Sequence, residues 1–335
     1  MRLNRRHFIV AGGAVAAAPL LNQAGVFAQD ATPAASPAAD PTTMYGPVQG
    51  NEAYNLAFMQ VFPSNAFWQI LKEGVEARAA EDGVTVDVIA LPDAAGIADQ
   101  VSQFEDAVTA GYDGIIMGTI DAAGIVAGVE AANAAGIPVL AVDTAPAGGE
   151  LISLVQTDNV AASRLAGEFI AEQLGGEGKV LNLQGDMANQ TAQARNQGLH
   201  EALDAYPDIT VIDQSAHWQQ DEGFTITENI LVSDPDLDAI FAANDPPALG
   251  ALQALVAAGK EEDVFIVGFD AIPDAVEAVK NGQMLATVAQ FPRSMGIIGV
   301  DLMVTHLNGG EVPELVDSGA MLVTQENAEE FQAGM

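Results

Sequence analysis

Residues 238–247 (DAIFAANDPP), 264–273 (VFIVGFDAIP) and 285–292 (LATVAQFP) share one plan: a short apolar run stops abruptly in polar residues, and a proline follows. An unbroken apolar run of that length, without alternation, reads as a strand buried on both faces of a parallel sheet. Asn244 and Asp245, then Asp270, then Gln290 stand at the carboxyl ends of these runs. In an open α/β sheet, ligands sit in the crevice outside those ends. These residues are therefore candidate ligand contacts before any other property of the chain is considered.

The same alternation of strand and helix runs through the rest of the chain. From residue 55 it reads as strand 55–62, helix 67–81, strand 84–91, helix 97–110, strand 114–117, helix 122–135 and strand 137–142, with Gly136-Ile137-Pro138 as a helix stop. Residues 151–157 form one more strand, and Asp158-Asn159 then caps a helix that reaches about residue 174. The cycle restarts with strand 179–184, helix 190–205, strand 209–215 and helix 221–232, before the three opening stretches, a helix over 294–307 and an extended tail over 314–324. Alternation of this kind predicts a doubly wound α/β fold, and right-handed crossovers gather each half into one lobe. The 335 residues show no repeat of 20 to 50 residues and fit two lobes of ordinary size. The expected division is 51–157 plus 290–318 for the first lobe and 158–289 plus 319–335 for the second, with the tail crossing between them.

The amino-terminal segment reads as an address. Asn4-Arg5-Arg6-His7-Phe8-Ile9 resembles a twin-arginine export signal, a charge-free Ala/Gly-rich stretch follows, and Val26-Phe27-Ala28 offers a cleavage site after Ala28. Pro19, Asn22 and Gln23 interrupt the apolar run, which argues against a retained membrane anchor. Residues 29–50, rich in Ala, Pro, Ser and Thr, read as a flexible linker. The chain has no cysteine, which removes disulfides, thiolate metal sites, a cysteine nucleophile and a lipid-bearing cysteine. Its formal charge is −35, and cleavage that removes Arg2, Arg5 and Arg6 makes the remainder still more negative. Such a surface repels phosphate backbones and anionic lipid heads, so nucleic acid is excluded as a partner. The protein is expected to be exported and soluble, periplasmic or extracellular, and monomeric.

The segments Asn65-Ala66-Phe67-Trp68, Ala141-Val142-Asp143, Thr157-Asp158-Asn159, Leu183-Gln184-Gly185, Ala194-Arg195-Asn196-Gln197-Gly198, Phe241-Ala242-Ala243-Asn244-Asp245, Val267-Gly268-Phe269-Asp270 and Thr287-Val288-Ala289-Gln290 occur in one order. That order resembles the ribose-binding group of type I periplasmic binding proteins, over nearly all of residues 51–325. The resemblance implies two Rossmann-like lobes with parallel sheets, joined by a three-strand hinge near 157, 290 and 319 and enclosing a monosaccharide. It places ring-stacking aromatics at Phe67, Trp68, Trp218 and Phe269, and hydroxyl-binding groups at Asn65, Asp143, Arg195, Asn244, Asp270 and Gln290. The chemistry agrees: a sugar has two apolar ring faces and a rim of hydroxyls, which suits an aromatic sandwich edged with planar polar groups.

This sequence departs from the ribose-binding pattern at two positions. Gly118 stands where the family usually has asparagine, and Thr144 stands where ribose binders have an arginine beside the aspartate. Both changes fall in the first-lobe half of the expected pocket, so a hexose, a polyol or a pentose other than ribose is expected. Thr144 remains a candidate contact.

The expected function is a substrate-binding protein that captures a sugar or polyol between its lobes and delivers it to the membrane permease of an ABC transporter. No cofactor, metal or catalytic residue is expected. Three rival readings compete with it. An enzyme is possible on this sheet, since Asp143 and Asp270 could face each other like a glycosidase pair, but no activated nucleophile, metal motif or nucleotide fingerprint accompanies them. A sensor subunit that reports ligand to a receptor shares every sequence feature of the transporter subunit. A DNA-binding regulator of the same fold requires a basic headpiece, which residues 1–50 do not provide. Residues 234–238 imitate the start of a calcium loop, but Ala239 occupies the place of the required glycine. The glycine-rich residues 174–179 follow a helix rather than precede one and read as its stop.

Overall fold

A computed structural model describes residues 46–93 and 95–331. The expected export signal, its expected cleavage after Ala28 and the larger part of the expected linker lie outside the described residues. Residues 48–50, expected to close that linker, are already tied to the fold. The Val48 N–H donates to Asp82 Oδ1 at 3.0 Å and the Gly50 N–H to the Asp82 carbonyl at 3.2 Å.

The first run of elements is β1 (Asn55–Gln60), α1 (Ala66–Asp82), β2 (Thr85–Ala90), α2 (Ile97–Ala110), β3 (Gly114–Met117), α3 (Val126–Ala134), β4 (Val139–Val142) and β5 (Ser153–Gln156). The second is α4 (Asn159–Leu174), β6 (Glu177–Gln184), α5 (Gln190–Leu203), β7 (Asp208–Ser215), α6 (Gln220–Ser233), β8 (Ala239–Ala242), α7 (Asp245–Ala258), β9 (Phe265–Asp270), α8 (Pro273–Lys280) and β10 (Ala286–Ala289). The chain closes with α9 (Pro292–Leu307), β11 (Leu315–Asp317) and β12 (Met321–Thr324). Helix limits follow local chemistry. The Asn65 side chain accepts from the Phe67 N–H to start α1, and Gly83 ends that helix at a left-handed φ of 72° that glycine adopts without strain. Expected and observed limits differ most at α3, which begins at Val126 rather than near 122. Asp121 Oδ1 accepts from the Ala123 and Gly124 N–H groups and holds that stretch as a turn.

The strands form two six-stranded sheets with one topology used twice. The first runs β11-β5-β4-β3-β1-β2 and the second β12-β10-β9-β8-β6-β7. Apolar side chains cover both faces of each: Phe58, Ile116 and Leu140 on one side of the first sheet, with Met59, Ile115 and Phe104 on the other. Leu181, Ile240 and Ile266 flank the second sheet on one side, opposite Val180, Phe241 and Val267. All strand pairs are parallel except β10 with β12, which are antiparallel. That exception follows from the tail: the chain leaves the first sheet at β11, reverses through Ser318 and Gly319, and enters the second from the opposite direction. Gly319 has a φ of 82°.

The chain passes between the sheets three times, from β5 to α4, from β10 to α9 and from β11 to β12. Although α9 follows the second sheet in sequence, it packs on α1 and on β3, β4 and β5 of the first. Two of the crossings are laced together. The Ser318 N–H donates to the Gln156 carbonyl at 2.8 Å, and the hydroxyls of Thr157 and Ser318 lie 3.1 Å apart.

Candidate functional site

In each sheet the strand order reverses between its first and third strands, β1 and β3 or β6 and β8. The crevice outside their carboxyl ends is where such a fold holds ligands, and here the two crevices face each other. Between them lies a cavity of about 360 Å³, at the small end of the roughly 300–1,000 Å³ usual for small-molecule sites.

Ten of the eleven expected contacts line this cavity: Asn65, Phe67, Trp68, Asp143, Thr144, Arg195, Trp218, Asn244, Asp270 and Gln290. Asn65, Phe67 and Trp68 come from the β1–α1 junction, Asp143 and Thr144 from the end of β4. Arg195 projects from α5, Trp218 follows β7, Asp270 ends β9, and Asn244 and Gln290 stand just past the ends of β8 and β10. The eleventh, Phe269, is a correction. It is fully buried in the second sheet's core, and its ring lies 3.8 Å beneath the Arg195 guanidinium carbon. It therefore supports the arginine from behind rather than facing the cavity, because alternation along β9 turns Phe269 and Asp270 to opposite sides.

Each indole lies over a glycine. A Cβ placed on Gly118 would stand 2.1 Å from Trp68 Cη2, and one on Gly185 would stand 2.2 Å from Trp218 Cη2 and Cζ2. Gly118 thus gives its side-chain space to the Trp68 ring. Phe67 braces Trp68 edge-on, with ring centroids 5.8 Å apart and an interplanar angle of 76°.

The polar groups form a linked set. Arg195 is 3% exposed; its Nε donates to Asn159 Oδ1 at 2.8 Å, and its Nη1 donates to the Ala243 carbonyl at 2.6 Å and to Asp270 Oδ1 at 3.3 Å. Gln290 Nε2 donates to the same Asp270 oxygen at 2.7 Å, which leaves Gln290 Oε1 without a protein partner. Asp143 Oδ1 and Asn244 Oδ1 are likewise buried and unpartnered. The Thr144 hydroxyl accepts from the Thr119 N–H at 2.7 Å, so its oxygen is engaged within the first lobe. Asp245, expected to serve the fold rather than the ligand, accepts from the Thr287 hydroxyl at 2.8 Å and the Ile272 N–H at 2.9 Å and is fully buried.

Burial pushes the Asp143 carboxyl up to about 7, against the pull of Arg195 and with a further push from Asp270. Asp270 is raised by burial to about 6, held down by Arg195 and by the Gln290 hydrogen bond. The backbone is also unusual here. Asp143, Trp218 and Asp270 have φ values of 63°, 66° and 110°, in a region that residues other than glycine rarely occupy. Such conformations cost of order 1–3 kcal/mol each and gather at ligand sites.

Two residues that sequence reasoning missed bridge the halves. Asn189 Nδ2 donates to the Thr119 carbonyl at 3.3 Å, and the Thr191 hydroxyl donates to the Asp143 carbonyl at 3.3 Å. A signal for Asn189 was present. Asn65 and Asn189 each stand five residues past the end of the corresponding strand, β1 or β6, and each caps the helix that follows. Among the described residues no group of three or more His, Cys, Asp or Glu is placed to hold a metal ion, and no helix is long and apolar enough to cross a membrane.

The family model for the periplasmic binding protein domain matches residues 56–311. The ribose import binding protein RbsB of Bacillus subtilis is 34% identical over 262 residues, 78% of this chain and 84% of that protein. The D-allose-binding periplasmic protein of Escherichia coli is 37% identical over 279 residues, 78% of this chain and 89% of that protein. Among solved structures, an ABC transporter solute binding protein from Mycobacterium smegmatis with bound glycerol superposes with a TM-score of 0.79 at 30% identity, covering 83% of this chain and 96% of that one.

Proposed function

The chain belongs to the periplasmic binding protein family, and from that premise we propose that it is the substrate-binding subunit of an ABC importer for a monosaccharide or polyol. The observation that carries this reading is the cavity itself: Trp68 and Trp218, each over its glycine, and Asp143, Arg195, Asp270 and Gln290 converge from both lobes on one space. Indole faces match the apolar faces of a sugar ring, and the carboxylates and the Gln290 and Asn244 amides match its hydroxyl rim. The ribose- and allose-binding proteins among its relatives support the same ligand class.

The mechanism is closure about the hinge. Residues 51–157 plus 290–318 act as one lobe and 158–289 plus 319–331 as the other, with the laced strands at Thr157 and Ser318 among the pivots. The closed form is favoured only as far as the ligand binds it better than the open form, so ligand contacts on both lobes are required. Asn189 and Thr191 contribute protein-to-protein bonds that exist only when the lobes meet. The closed protein, a monomer, then docks on the membrane permease. Export proceeds through the twin-arginine signal, with cleavage after Ala28.

A thermal-shift and calorimetric screen against pentoses, hexoses, polyols and inositols tests this reading. At least one compound is expected to bind at a stoichiometry of one and to change tryptophan fluorescence. Absence of binding across all four classes, or release of a hydrolysed product from a glycoside, contradicts it.

A further inference from the structure

The ionisable groups that line the cavity leave it with a net negative charge. Its buried ionisable groups are Asp143, Asp270 and Arg195, and Arg195 is the one cation among the residues that line it; Asp93 and Asp274 add the same negative sign at the rim. Arg195 is committed to the second lobe through Asn159, Ala243 and Asp270. It gives Asp143 no hydrogen bond, and Asp143 Oδ1 is buried with no partner in the protein. At the next position, where an arginine would bring the buried set to neutrality, stands Thr144, its hydroxyl already turned to the Thr119 amide.

An uncompensated buried carboxylate is costly, and the cost is recovered only by a cation or by several donors. The rise of the Asp143 carboxyl to about 7 expresses that cost. The orphaned atoms around it, Asp143 Oδ1 and Gln290 Oε1, are acceptors. The Gln290 assignment is set by chemistry, since its Nε2 already serves Asp270 and the reverse orientation would turn an oxygen toward a carboxylate. A hydroxyl brings one donor and its own lone pairs, whereas an ammonium brings three donors and a positive charge.

We propose that the ligand is an amino sugar or amino polyol, a hydroxylated ring bearing one protonated amine, and that Asp143 receives the ammonium. This rests on the carbohydrate-binding reading above and narrows it. Asp270, already paired with Arg195 and Gln290, serves the hydroxyls at the other end of the ring. The missing arginine at Thr144 is then a specificity device: it leaves the carboxylate open to a cation from the ligand and removes the donor that would reward a neutral one.

The test is calorimetry near neutral pH on matched pairs: glucose and glucosamine, galactose and galactosamine, myo-inositol and its monoamino-deoxy analogue. In at least one pair the amine is expected to bind at least about tenfold more tightly than its hydroxyl parent. That preference should vanish in Asp143→Asn, which the left-handed backbone at this position accommodates. Thr144→Arg provides a second variant that keeps the carboxylate, and it should turn the preference toward the neutral member. Neutral members binding as tightly as the amines in every pair, or a preference for the amine that persists in both variants, overturns the inference and leaves the carbohydrate reading standing. Failure of every member of all three pairs to bind overturns the inference, and the wider screen of pentoses, hexoses, polyols and inositols then decides the carbohydrate reading by itself.

Discussion

At Asp143 one side chain carries burial, strain and an unmet hydrogen bond together, and these have a thermodynamic consequence for the empty protein. Its folded-state carboxyl lies at about 7 and that of Asp270 at about 6, both above the ordinary 3.8. A raised carboxyl favours the protonated folded form, so the stability it contributes is whole below the ordinary value and is lost as pH rises through the folded one. Ligand-free protein is therefore expected to lose thermal stability between about pH 4 and pH 8, by an amount on the order of a few kcal/mol. Asp143→Asn should flatten that slope, leaving the parts due to Asp270, to Asp245, which burial holds well above the ordinary value, and to Asp301, which burial raises to about 8. Unfolding midpoints across this range, with and without the substitution, check it; a wild-type profile that rises with pH contradicts it. The glycines under the indoles give a second expectation. Gly118→Ala or Gly185→Ala forces a methyl into ring atoms 2.1 or 2.2 Å away. Each should cost about 1–3 kcal/mol of fold stability and weaken ligand binding, with a shift in tryptophan emission that a remote Gly→Ala change does not produce.

Strand ends are the scale at which most of the site was legible. Apolar runs with abrupt polar stops marked Asp143, Asn244, Asp270 and Gln290, because a strand buried on both faces is mostly apolar until it leaves the sheet. All four line one cavity. Phe269 was misplaced because order in sequence does not give facing, and alternation within β9 sets it behind Arg195. The antiparallel entry of β12 was hidden because a four-residue strand carries no mark of direction. Asn189 was missed although its place repeats that of Asn65: the repeat is one of architecture, and the sequences of the two strands differ. Asn189→Ala is expected to destabilise the protein by about 1 kcal/mol through loss of the α5 cap. It should also weaken ligand affinity through loss of the bond to Thr119. Paired denaturation and calorimetry separate the two effects; an unchanged affinity contradicts the bridging role.

Over the whole molecule, the design is one doubly wound sheet used twice, with active crevices opposed and a hinge assembled from segments distant in sequence. The sequence announced the two lobes through their alternation. How the lobes approach each other was beyond it, since contacts such as Asn189 with Thr119 join residues 70 positions apart and depend on the angle at the hinge. Asp143 and Gln290 keep unmet buried acceptors, which the proposed closure would satisfy through a guest shared between the lobes. A crystal structure of the protein saturated with its tightest ligand measures this directly. The account predicts one ring between Trp68 and Trp218, bonded to Asp143 on one side and to Asp270 and Gln290 on the other. A ligand held by one lobe alone, or seated outside this cavity, contradicts it.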